Sequence, residues 1–164
     1  MADTKLDISQ IELGIAELFN FRLHVVVPRV SWGLLNHEAD IIAMNASGYL
    51  TEVEIKRSWS DFLADFRKEH AHNDSRVMWR YFAVPESILA KCEAKLKEKD
   101  PWKTWGLMYY RELRGVCDVQ IKYFPSNINS HNRQKKLSAE EQFKLARLGA
   151  MRIWGERQKQ RKKK

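Results

Sequence analysis

The sequence predicts an α/β domain, a mixed sheet flanked by helices with the core order αβββαβ, followed by a C-terminal hairpin and helix. Three observations carry this. Apolar residues recur at helical spacing over Ile8, Ile11, Ile15, Leu18 and Phe19. Three stretches with strand character follow between residues 22 and 57. Helical spacing then resumes at Ser58 and gives way to another short apolar strand.

The first helix is expected over about 7–19, where Asp7 or Ser9 can cap its start. The strands are expected at 22–30, at 38–44 and at 49–57, and Pro28 in the first suits an edge or a strand end. Residues 58–70 read as the second helix, with Trp59, Phe62, Leu63 and Phe66 on one face and a capping pattern in Ser58 and Asp61. A strand at 80–84 stops at Pro85, and 86–99 is a helix with an alternating charge face. Residues 105–112 and 117–124 form a hairpin about Arg114-Gly115, and 127–136 is a polar loop. Ser138-x-x-Glu141 opens a last helix running toward Gln158. The chain thus divides into a domain over 1–137 and a C-terminal helix with a basic tail over 138–164.

At 164 residues and 44% hydrophobic content the chain suffices for one domain with a substantial core. Met1 to Gln10 is polar and no apolar run approaches the roughly 20 residues that span a bilayer, so a soluble cytoplasmic protein with no membrane partner is expected. Cys92 and Cys117 lack CxxC spacing and read as buried free thiols. The net charge of +8 is a property of the C-terminal end: residues 133–164 carry 12 Lys or Arg against 3 Asp or Glu, and the rest of the chain is close to neutral. Such a segment attracts polyanions, and the run Lys159 to Lys164, with Arg161, Lys162 and Lys163 at its centre, suits a nucleic-acid-binding arm. The alternative is a solubilising, frayed end.

Strand alternation puts Leu50, Glu52, Glu54 and Lys56 on one face of the third strand. On an ordinary half-buried strand that face is simply the wet one. The preceding strand changes the balance. Asn45-Ala46-Ser47-Gly48 suits a three-residue hairpin loop closed by a left-handed glycine, which pairs Met44 with Leu50, Ile42 with Glu52, and Asp40 with Glu54. Two facing carboxylates repel unless a cation sits between them, and oxygen ligands of this kind suit Mg²⁺ or Mn²⁺. Lys56, two residues beyond Glu54, can neutralise charge on a phosphoryl oxygen. A slip of one residue in the register separates Asp40 from Glu54 and dissolves the group.

The stretch Glu38-Ala39-Asp40-Ile41-Ile42, with Val53-Glu54-Ile55-Lys56-Arg57-Ser58, Asp61-Phe62-Leu63-Ala64-Asp65 and Tyr81-Phe82-Ala83-Val84-Pro85, resembles the PD-(D/E)XK nuclease superfamily. Within it the segment is most similar to the MmcB-like DNA-repair family and to similar phage-borne proteins. The resemblance covers about residues 7–124, and Ala39 stands where many members have proline. It implies a restriction-endonuclease-like fold and a metal-dependent deoxyribonuclease of a bacterial or phage-infected cell. In that reading Asp40, Glu54 and the Ile55 carbonyl bind Mg²⁺ or Mn²⁺, Lys56 is the catalytic lysine, and an acid on the first helix assists. DNA is the implied partner, together with repair or replication proteins.

On the first helix Glu12 flanks the apolar stripe and Glu17 points away, so Glu12 is the better third acid, although stripe borders are commonly charged. Glu52 is a candidate for a second metal or a phosphate-bound water. Asp61 and Asp65 read as structural or supporting groups, and Arg67, Lys68 or His70 as phosphate contacts. The alternatives to a nuclease are a non-catalytic DNA-binding module of the same fold and an adaptor that docks through Phe143, Ala146, Ala150 and Ile153.

Overall fold

The computed structural model describes residues 6–31, 33–66, 74–126 and 136–162. Asp7 caps the first helix, α1 (Ile8–Leu18), by a reciprocal capping box with Gln10. Three strands follow, β1 (Val25–Val30), β2 (Ala39–Met44) and β3 (Leu50–Ile55). The Ser58 hydroxyl accepts from Asp61 N at the start of α2 (Trp59–Asp65), which leads to β4 (Val77–Pro85). A 3₁₀ turn at Glu86–Ile88 enters α3 (Leu89–Lys99). The hairpin of β5 (Trp105–Leu113) and β6 (Val116–Tyr123) turns on Arg114 and Gly115, both with positive φ. That pair of left-handed residues is the two-residue turn whose twist matches the strands. The Ser138 and Glu141 capping box opens α4 (Ala139–Lys162).

The six strands form one mixed sheet in sequence order, β1-β2-β3-β4-β5-β6. The β1-β2, β2-β3 and β5-β6 pairs are antiparallel, while β3-β4 and β4-β5 are parallel and are joined through α2 and α3. Alternation sorts the core between two faces. Ile11 and Ile15 of α1 pack with Ile41, Val53, Tyr81, Met108 and Tyr110 on one. On the other, Leu145 of α4 joins Val27, Ile42, Met44 and Leu50, and Phe62 of α2 joins Phe82, Val84, Leu96 and Leu107. Gly14 lets α1 approach β6 closely, because a Cβ there would meet the Cys117 carbonyl oxygen at 2.9 Å.

Several elements depart from expectation in length. β4 begins at Val77, three residues before the stretch the sequence suggests, because β3 pairs with the added residues, Leu50 with Val77 and Thr51 with Trp79, before β5 joins at Arg80. The basic end is not a frayed arm: α4 continues to Lys162, which takes Lys159, Arg161 and Lys162 onto a helix. Lys68, His70 and Lys163, and the loop at 127–135, lie outside the described residues. Cys92 and Cys117 are buried free thiols, and burial pushes them up to about 12 and about 11. No described helix is long and apolar enough to cross a membrane.

Candidate functional site

The β2-β3 turn sets the register of the site. Gly48 sits at φ +84°, its N–H donates to the Asn45 carbonyl at 2.9 Å, and the Asn45 side chain accepts from Ser47 N and Tyr49 N. Met44 pairs with Leu50, Ile42 with Glu52 and Ile41 with Val53, so the next residues along, Asp40 and Glu54, face one another. Their carboxylates also lace the strand ends. Asp40 Oδ2 accepts from Ile55 N at 2.8 Å, and Glu54 Oε1 accepts from Asp40 N at 3.4 Å.

Lys56 lies in the same group, with Nζ 3.2 Å from Glu54 Oε2 and 2.8 Å from Asp65 Oδ2. Asp65, at the end of α2, is the member that sequence spacing did not assign to the site. Its i, i+4 relation to Asp61 suggested a supporting role, whereas the docking of α2 over β3 turns it onto the lysine. Lys56 is 4% exposed and its backbone is fixed as well, since Lys56 N donates to Ala83 O and Tyr110 Oη donates to Lys56 O at 3.0 Å. The ring of Phe82 covers the ammonium at 5.9 Å.

Electrostatics separate the members. Burial works against the charge of Lys56, yet the hydrogen bond to Asp65 and the field of Glu54 outweigh it and hold its pKa above the ordinary lysine value. Burial raises the Asp40 carboxyl above its ordinary range, against the Ile55 N–H and the Lys56 charge, which favour ionisation; Asp61 and Asp65 push it further up. With every group ionised, Asp40, Glu54 and Asp65 set three negative charges against the one positive charge of Lys56.

Asp40 forms the open end of this cluster. It lines a cleft of about 180 Å³ with Arg29, Val30, Ser31, Glu38, Ala39 and Arg152. The β1-β2 register puts Arg29 across from Asp40, and Arg29 holds a left-handed φ of +52° inside a strand. For an arginine this is a strained backbone, the kind held in place by its surroundings. The Arg152 guanidinium of α4 supplies one constraint by donating to the Arg29 carbonyl. Glu12 and Glu156 supply others, with carboxylates 3.6 and 3.3 Å from the Arg29 side chain. Glu12 is thus engaged with Arg29; burial raises its carboxyl, Arg29 opposes that, and the field of Asp40 adds to it.

Glu52 belongs to a different group on the same sheet face. Fully buried, it meets His37 Nε2 at 2.7 Å and Arg80 Nε at 3.8 Å. Arg80 donates to the Asp74 carbonyl, and Asp74 is bound by Arg76 and by Asn36 N. Nothing in the sequence spacing joins residues 36, 37, 52, 74, 76 and 80.

The donor chemistry at Asp40 and Glu54 fits a small hard divalent ion. Mg²⁺ and Mn²⁺ are taken by one or two carboxylates, with water and substrate oxygens completing the shell. The surplus of carboxylates over ammonium leaves room for that charge. Among the described residues no group of three or more His, Cys, Asp or Glu side chains is arranged to hold a metal.

No family model and no curated protein matches the chain. Among solved structures, the SPO1766 protein of unknown function from Silicibacter pomeroyi is similar to it, with a TM-score of 0.60 over 96% of this chain and 93% of that one, at 19% identity. That likeness extends to the fold and covers nearly the whole of both chains.

Proposed function

We propose that the chain is a Mg²⁺- or Mn²⁺-dependent deoxyribonuclease of the PD-(D/E)XK type, acting in DNA repair or phage DNA metabolism. The observation that carries the reading is the cluster of Asp40, Glu54 and Asp65 about the single ammonium of Lys56, opening at Asp40 onto a cleft bordered by two arginines.

In this reading Asp40, Glu54 and the Ile55 carbonyl hold the ion. The ion, when bound, polarises the scissile phosphate and lowers the pKa of bound water. Lys56 stays protonated in its carboxylate pocket, so its part is to stabilise negative charge growing on a phosphoryl oxygen rather than to take up a proton. Asp65 aims that ammonium, and the Phe82 ring keeps water from it. Arg29 and Arg152 border the cleft where flanking phosphates of the strand lie. Arg161 and Lys162 extend the cationic surface along α4 and add sequence-independent attraction for DNA.

Labelled duplex and single-stranded oligonucleotides incubated with Mg²⁺ or Mn²⁺ test this. Cleavage is expected, together with a loss of at least about 100-fold for Glu54→Gln. Calorimetric titration with Mn²⁺ gives a second readout, binding by the parent and none by Asp40→Asn. A variant lacking Glu54 that cuts at the parent rate overturns the assignment, and DNA binding without cleavage under either metal favours the non-catalytic module of the same fold.

A further inference from the structure

The outer side of α4 carries a pattern of which the nuclease reading uses only Arg161. Leu145 and Gly149 face β1, with Val27 3.1 Å from where a Cβ of Gly149 would stand, and Arg152 faces the cleft. At about 100° per residue the opposite side of the helix presents Phe143, Arg147, Ala150, Trp154 and Arg161 in one stripe, with Arg157 at its border, where it also lines a groove with Glu12, Val26 and Pro28. All six are exposed, Phe143 at 69% and Trp154 at 68%. The stripe and its border hold three guanidinium groups and two aromatic rings, with Glu140 as the one carboxylate.

We propose that this stripe binds single-stranded DNA, its rings stacking on bases and its arginines meeting the phosphates between them. The inference rests on the nucleic-acid reading above and names where a strand lies outside the cleft. Charge complementarity selects the occupant. A second copy of this chain set against the stripe would bring arginines to arginines with only Glu140, at the border of its first turn, to answer them. A membrane-lying helix separates its apolar face from its cationic one, whereas here Arg147 lies between the two rings and Arg157 and Arg161 follow Trp154 along the same line. Alternating rings and cations match what a single strand offers, a base face and a phosphate at every step. A duplex hides its base faces and gains nothing from Phe143 or Trp154. The two rings stand about 16 Å apart along the helix, enough for separate bases to engage each one.

The test is binding of fluorescein-labelled oligothymidylate by the whole chain in EDTA, where no metal-dependent cutting occurs. Trp154→Ala and Phe143→Ala are each expected to weaken binding about tenfold, since stacking on one ring contributes roughly 1–3 kcal/mol per base. Arg147→Gln and Arg161→Gln are expected to lower the slope of log affinity against log salt by about 0.7 for each phosphate no longer neutralised. All four residues are exposed, so unchanged circular dichroism is the control for folding. Parent-like binding by both ring variants overturns the proposal. So does equal affinity for a duplex of the same length, or a dimer in sedimentation that Trp154→Ala dissociates. Binding to vesicles of phosphatidylglycerol that competes out the oligonucleotide also overturns it. A chain that binds the strand through Trp154 but never cuts it in Mg²⁺ rejects the nuclease reading and leaves this one standing.

Discussion

Two buried charge groups lie side by side on one face of the sheet, and they are built to opposite accounts. Around Glu52, three carboxylates (Glu52, Asp74 and Glu141) meet two guanidinium groups (Arg76 and Arg80) with His37 beside them, and the carboxyl of Asp74 is held down to about 2. Around Lys56, two carboxylates (Glu54 and Asp65) contact one ammonium, Asp40 lies in its field, and the carboxyl of Asp40 is held up. In the first group every carboxylate has a guanidinium neighbour, and the pairs tie the 33–37 segment and the start of β4 to β3. The second is acid-rich and opens on a cleft. Acids paired one by one with guanidinium groups suit a structural tie, while a carboxylate without such a partner leaves a charge that a bound counter-ion can offset. That difference is the physical ground for proposing a structural role for the first group and a chemical one for the second.

The largest effect that separates them is Arg80→Ala. It leaves the fully buried Glu52 without its guanidinium neighbour and is expected to lower stability by about 3 kcal/mol, with no fall in cleavage per folded molecule. Urea unfolding and activity on the same preparation measure both, and a specific loss of rate with unchanged stability would erase the distinction.

A second test uses pH. Burial works to raise the Asp74 carboxyl, but hydrogen bonds from the Arg76 side chain and from the Arg76 and Asn36 N–H groups outweigh it. A depressed carboxyl contributes stability above its ordinary value of 3.8 that is lost as pH falls toward about 2. The loss is expected to be on the order of 2 kcal/mol and to be absent in Asp74→Asn. Denaturant midpoints across that window decide it, and identical pH profiles for parent and variant would remove the tie.

The smallest effect has the opposite sign. A carboxyl held above its ordinary value is most stabilising when protonated, so the metal-free protein loses stability as pH rises from 3.8 through the raised value. Asp40→Asn abolishes that loss while its side-chain oxygen still accepts from Ile55 N. It is expected to stabilise the protein in EDTA at neutral pH by about 0.5 kcal/mol, or roughly 1–2 °C in melting temperature. A lower melting temperature for the variant would show that Asp40 holds the strands together more than its charge strains them.

The legible parts of the molecule were those written in local sequence. Asn45 to Gly48 dictates a turn, the turn dictates a register, and the register brings Asp40 across from Glu54. Asp7 with Gln10, and Ser138 with Glu141, mark helix starts within a single turn of chain. Asp65 was not legible as the partner of Lys56, because its direction depends on how α2 settles over the sheet, a matter of Phe62 packing against Phe82. Nor was the Glu52 tie, whose members are scattered from Asn36 to Arg80 and meet only once β4 pairs with β3. The helical end of α4 was hidden by its charge: a cationic run reads as a loose tail, yet Gln, Arg and Lys are all good helix formers.

The order of the strands has a consequence for how the acid-rich group comes into being. Each strand of the sheet pairs with its neighbour in the chain, and Asp40, Glu54, Lys56 and Asp65 all fall within one short segment of β2, β3 and α2. Closing the β2-β3 hairpin and then docking α2 requires only short loops, which are the quickest to close and lose the least chain entropy. The carboxylates are therefore crowded together early, by the fastest steps available to the chain. The cationic helix that borders them comes from the far end of the sequence and reaches β1 only by long-range closure.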